Sequence, residues 1–213
     1  MKTEELVELL ARGDDGVQSN AVPRRLALAL VASVPAAVAL MAAWLGIRPD
    51  LAQAAAEPMF WGKVAFVALL SGGGLMAAAR LSRPGASLQP LAALLAAPVL
   101  AMWLVAAATL AGAVPGERLE LFLGVSWDEC ALNIATLSLP VFVAAMWAMK
   151  GLAPTRLRLA GAGAGLLAGA AAALVYTLHC PESEAPFLGT WYVLGMLIPV
   201  AAGASLGPRL LRW

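Results

Sequence analysis

The chain has 213 residues, 62% of them hydrophobic and 13% charged, with a formal net charge of +1 and a mean hydropathy of +0.82. A soluble domain is typically about half apolar and about a quarter charged, so this composition requires an apolar solvent. The near-neutral balance, with no basic stripe beyond loop-sized clusters, excludes direct nucleic-acid binding.

In chain order, residues 3–12 predict a short amphipathic helix. Thr3 can cap it, Glu4 and Glu5 favour its positive end, and Arg12 favours the other. Leu6, Leu9 and Leu10 fall at i, i+3 and i+4 and share one face. Ten residues are too few for a stable isolated helix in water, so such a segment folds best on a partner. Gly13-Asp14-Asp15-Gly16 ends it, and a polar linker runs to Pro23. The first 24 residues are polar and acidic, unlike a cleavable signal peptide, so the first span is expected to serve as its own anchor.

Six charge-free runs follow, at 26–47, 64–79, 84–116, 130–149, 159–178 and 185–208. About 20 apolar residues in a helix cross the roughly 30 Å hydrocarbon core, and a helix satisfies its own backbone hydrogen bonds there. The predicted spans are 26–46, 60–80, 89–112, 129–149, 158–179 and 187–206. The fold class is therefore all-α, a polytopic membrane protein with six transmembrane helices. The second run is short, so Lys63 is expected to snorkel to the interface while Met59, Phe60 and Trp61 extend the apolar stretch. Pro35, Pro98, Pro140 and Pro199 lie inside four spans and are expected to bend them. Gly161, Gly165 and Gly169 repeat every four residues, a small-xxx-small packing face along span five. The glycine-alanine string at 161–165 has no preceding strand, which excludes a dinucleotide fingerprint.

Placing the N-terminus in the cytoplasm puts eleven of the 14 Lys and Arg residues in inner segments; Arg48, Lys63 and Arg118 remain outside. The positive-inside rule then predicts both termini cytoplasmic. The division is an arm at 1–25, a membrane domain at 26–208 and a tail at 209–213. No charged residue is expected deep in any span, which argues against a proton or ion pump.

The two cysteines and the single histidine converge on one boundary. Cys130 begins span four and Cys180 ends span five, and antiparallel spans bring both to the outer side. His179, Glu182 and Glu184 flank Cys180, while Asp128 and Glu129 precede Cys130. Ser126 and Glu129 form a Ser-x-x-Glu capping-box pattern. Asn133 lies one turn below Cys130, within reach of a bond to it. Three readings stay open: a structural disulfide, a soft-metal site for Cu(I), Zn or Cd, or two unrelated buried cysteines. No constitutive cofactor is expected.

The Leu-rich arm running to Pro23-Arg24-Arg25, the six spans, Trp127-Asp128-Glu129-Cys130 and Leu178-His179-Cys180-Pro181-Glu182 together resemble the NrsF-type family of bacterial inner-membrane anti-sigma factors. The resemblance implies a non-enzymatic regulator that holds an extracytoplasmic-function sigma factor at the membrane. It implies sensing thiols at Cys130 and Cys180, with soft-metal or oxidative stress as the signal. It also implies a sigma-binding arm that includes Leu6, Leu9 and Leu10 with Val7 and Glu5. The expected transmission is a shift of span five along its glycine face. Two alternatives compete. A membrane thiol-disulfide oxidoreductase lacks a Cys-x-x-Cys motif, and a soft-metal transporter would have to use scattered methionines that read as ordinary packing.

Overall fold

A computed structural model describes residues 3–12, 20–85, 89–152 and 154–212. All secondary structure among them is helical: α1 Thr3–Arg12, α2 Ala21–Trp44, α3 Leu51–Ala54, α4 Pro58–Leu81, α5 Gln89–Gly112, α6 Arg118–Leu123, α7 Trp127–Leu137, α8 Leu139–Lys150, α9 Leu157–Tyr176, α10 Ala185–Phe187 and α11 Val193–Leu210. Six helical runs are long and apolar enough to cross a membrane; α6 to α8 form one of them, and α10 to α11 another.

The boundaries follow local chemistry. α2 starts at Ala21, before the end expected for the linker, because Pro23 falls in the first helical turn, whose N–H groups have no partner inside the helix. Pro58 occupies the start of α4 for the same reason. Span four is interrupted at Ser138, between α7 and α8, where Pro140 supplies no backbone donor. Pro35 and Pro98 are instead accommodated within the continuous helices α2 and α5. The short helices α3 and α6, absent from the sequence expectations, shape two connecting segments at the cysteine end.

Between α10 and α11, residues Leu188–Tyr192 wind as a π-helix. The wider turn inserts an extra residue and rotates the inward face, so Leu188 and Tyr192 are both buried.

Apolar side chains cover the outside as well as the core. Val31, Leu104 and Trp147 are each more than 70% exposed, a surface suited to lipid rather than water. The helix α9 occupies the centre: 78% of its apolar window is buried, against 11% for α5 at the periphery. Its glycines explain how it fits. A methyl group on Gly161 would lie 2.0 Å from the Gly203 carbonyl oxygen, and one on Gly165 would lie 2.1 Å from that of Pro199. Gly169 meets Met196 in the same way, and across the bundle Gly74 of α4 rests on the Leu167 backbone. The seam therefore holds α9 and α11 at backbone contact. It does not provide the free space that a shift of span five along its glycine face requires, and the expected easy sliding is corrected accordingly.

Candidate functional site

The site forms at the bundle end where α2 and α9 finish and where α4 and α7 begin. Cys130 sits in the first turn of α7, its N–H bonded to the Ser126 carbonyl at 2.9 Å. Cys180 follows the last turn of α9, its N–H bonded to the Tyr176 carbonyl at 3.0 Å. Both are free and fully buried, and their side chains are close enough for each thiol to influence the ionisation of the other. Of the three readings left open by the sequence, that of two unrelated cysteines is the one this placement disfavours, since the side chains are neighbours. The neighbouring Cys130 side chain is the largest influence on Cys180. Together with the Lys63 ammonium it outweighs the cost of burial and lowers the Cys180 thiol to about 6.

The segment carrying Cys180 is anchored from α4 and from two connecting segments. The Arg48 N–H donates to the Leu178 carbonyl at 3.1 Å, and Arg48 Nη1 donates to the Cys180 carbonyl at 3.3 Å. Arg48 also holds Asp50 through two side-chain bonds, of 2.8 and 2.6 Å, which keep the Asp50 carboxyl below its ordinary range. Lys63 Nζ donates to the Cys180 carbonyl at 2.8 Å and to the Glu182 carbonyl at 2.7 Å. The Glu182 side chain accepts from the Val125 N–H at 2.7 Å. That contact depends on Gly124, whose φ of +60° disfavours any side chain and whose missing Cβ leaves room for the Glu182 carboxylate.

Lys63 departs from expectation. It is 1% exposed rather than open to solvent: its ammonium reaches the end of the bundle but is covered there by the loop that follows α9, its Nζ 5.2 Å from the centre of the Tyr192 ring. Tyr176 and Tyr192, with ring centres 5.8 Å apart, form the apolar wall beside the thiols. The Tyr192 hydroxyl stands next to Cys180 without reaching hydrogen-bond geometry.

Other expected members are placed elsewhere. His179 Nδ1 bonds the Gly46 carbonyl at 2.9 Å, and its ring packs on Tyr176. Asp128 and Glu129 are exposed on α7. Ser126 precedes α7 but makes no side-chain cap, its hydroxyl buried without a partner, so the capping box does not form. Asn133 bonds weakly to the Tyr176 hydroxyl at 3.5 Å, not to Cys130. Among the described residues no three His, Cys, Asp or Glu side chains gather where a metal ion would bind. On the arm, Glu5 and Val7 are exposed, while the side chains of Leu6, Leu9 and Leu10 lie outside the described residues.

Sequence reasoning missed Lys63, Arg48, Tyr176 and Tyr192. Only Lys63 left a signal, as a basic residue within the apolar start of span two. A lysine there either reaches water or finds acceptors inside, and hydropathy does not distinguish these outcomes.

Comparison with known proteins agrees along the whole chain. The family model described as negative regulator of sigma F, NrsF, matches residues 10–213. A protein of Azospira oryzae named as a probable anti-sigma-F factor NrsF is 54% identical over 213 residues, covering all of both chains. The anti-sigma-F factor NrsF of Caulobacter vibrioides is 41% identical over 215 residues, again across both full lengths. No solved structure matches. With six apolar helical runs and agreement from end to end, the chain belongs to the NrsF family, the non-enzymatic negative regulators of sigma F.

Proposed function

We propose that this anti-sigma factor holds an extracytoplasmic-function sigma factor at the bacterial inner membrane and releases it when a soft metal or an oxidant reacts with Cys130 and Cys180. The observation that carries the reading is the meeting of the chain's two cysteines, fifty positions apart, as buried free thiols. The asymmetry of Lys and Arg supports both termini in the cytoplasm, with the thiols on the opposite face. The sigma factor would then dock on the arm, along the face formed by Leu6, Leu9 and Leu10 with Val7 and Glu5.

The donor set favours two-sulfur chemistry. With His179 and Glu182 already engaged, the pocket offers two thiols, suited to a disulfide or to a two-coordinate soft ion rather than a closed four-ligand zinc site. A disulfide would draw the sulfurs to about 2.05 Å and pull on the first turn of α7. The break at Ser138 lets α7 tilt against α8, and α8 ends at the turn where Gly151 packs on the Arg25 guanidinium, at the root of the arm. This gives a route to the arm that leaves the glycine seam intact.

The test is a sigma-dependent reporter. Cys130→Ser should repress normally yet not respond to cadmium or to a thiol oxidant; normal induction in that variant would sink the sensor assignment. Leu9→Asp should abolish co-purification of the sigma factor from detergent extract, and unchanged co-purification would remove the arm from the interface.

A further inference from the structure

We propose that Lys63 is the positioning residue of the thiol pair, a buried cation in the second span that grips the peptide on both sides of Pro181 and so holds Cys180 against Cys130. The proposal deepens the sensing reading and rests on it for its biological meaning.

An ammonium inside a membrane domain is costly and is ordinarily found where it serves function. Lys63 is 1% exposed, and no carboxylate among the described residues lies within ion-pair distance of it. Its hydrogen bonds go instead to two main-chain carbonyls, Cys180 at 2.8 Å and Glu182 at 2.7 Å. These are short, charge-assisted bonds, stronger than neutral ones. The residue between the gripped carbonyls is proline, whose ring restricts its own φ. Two fixed carbonyls around a stiff residue set the backbone there and so the direction in which the Cys180 Cα–Cβ bond points. The Tyr192 ring, presented by the π-helical turn, closes over the ammonium at 5.2 Å.

Arg48 supports the same loop less firmly. Its bond to the Cys180 carbonyl is longer, at 3.3 Å, and its guanidinium is also committed to Asp50. It does not reach the Glu182 carbonyl. An apolar side chain of similar length could fill the same space, but it would take this donor from both carbonyls. What an apolar side chain cannot do is hold two carbonyls at once. Lys63 thereby ties span two to the cysteine of the span-five loop, so that the thiols meet without being cross-linked.

The experiment uses the full chain in native membranes. Cells are treated with diamide, whose azo bond takes up the two electrons and two protons released as the thiols join, and remaining thiols are trapped with a maleimide. Lys63→Met should slow Cys130–Cys180 disulfide formation at least tenfold. Membrane level and sigma co-purification should stay as in the wild type, because the arm lies at the other end of the bundle. Lys63→Arg, which keeps charge and donors, should restore most of the rate. Disulfide formation at the wild-type rate in Lys63→Met overturns the proposal. If Lys63→Met does not accumulate, Lys63→Gln answers the same question. If neither accumulates, Lys63 is a structural post and the proposal falls. The readout needs no sigma factor, so a failure of the sensing reading, seen as normal reporter induction in Cys130→Ser, is separable from a failure here.

Discussion

Replacing Gly165 by alanine places a methyl carbon 2.1 Å from the Pro199 carbonyl oxygen, whereas ordinary contact begins near 3.4 Å. The obstacle is backbone, not the end of a flexible side chain, so α9 and α11 must part locally by about 1.3 Å. A gap of 0.5–1 Å already forfeits roughly a quarter to a half of each contact's dispersion energy. Between membrane helices close packing is a main source of association, because lipid tails supply no hydrophobic drive. Overpacking of this kind costs roughly 1–3 kcal/mol, and the severity of the contact places Gly165→Ala in the upper half of that range. Gly161→Ala meets the Gly203 carbonyl at 2.0 Å and should cost as much. The double variant should cost clearly less than the two together, since one separation of the helices relieves both collisions. The assay is unfolding by SDS in mixed micelles, followed by fluorescence of the chain's seven tryptophans. Gly72→Ala is the control, because nothing lies within 4 Å of its added methyl. Gly165→Ala proving as stable as Gly72→Ala would refute the account of the seam.

Two further outcomes follow from the pocket. The Cys180 thiol is lowered from the ordinary range near 9 to about 6, so its alkylation by a small reagent should rise as pH passes through about 6. Cys130→Ala removes the largest cause of that shift and should move the profile toward higher pH; an unmoved profile would contradict the influence of Cys130 on Cys180. Gly124→Ala puts a methyl 2.7 Å from both Glu182 Cδ and the Phe187 ring, at a φ of +60° that suits glycine. It should cost roughly 1–3 kcal/mol through backbone strain and speed thiol alkylation by freeing the Glu182 loop. Wild-type values in both measurements would count against the clamp.

Much of the architecture is legible in the residues themselves. The six predicted spans mark the helical runs to within a few residues at most ends, and the span 89–112 coincides with α5. The glycine repeat at 161, 165 and 169 is a packing face, as its spacing implies. Its mechanical sense is not legible, because the motif does not say what lies opposite, and backbone carbonyls on α11 do. Ser126 and Glu129 have the spacing of a capping box, yet Ser126 makes no cap bond. Asn133 has the spacing to reach Cys130, but it bonds Tyr176 on α9.

Hydropathy, proline placement and helix length act over one turn or one span, so the sequence alone determined the class, the number of spans and the end of the bundle where the cysteines gather. Whether those cysteines touch, whether His179 turns toward them or toward Gly46, and whether Lys63 leaves the lipid outward or inward depend on groups 40 to 130 residues apart meeting at hydrogen-bond range. Only the tertiary structure decided these, because a buried polar group takes the partner that packing brings within about 3 Å, and no local pattern carries that information.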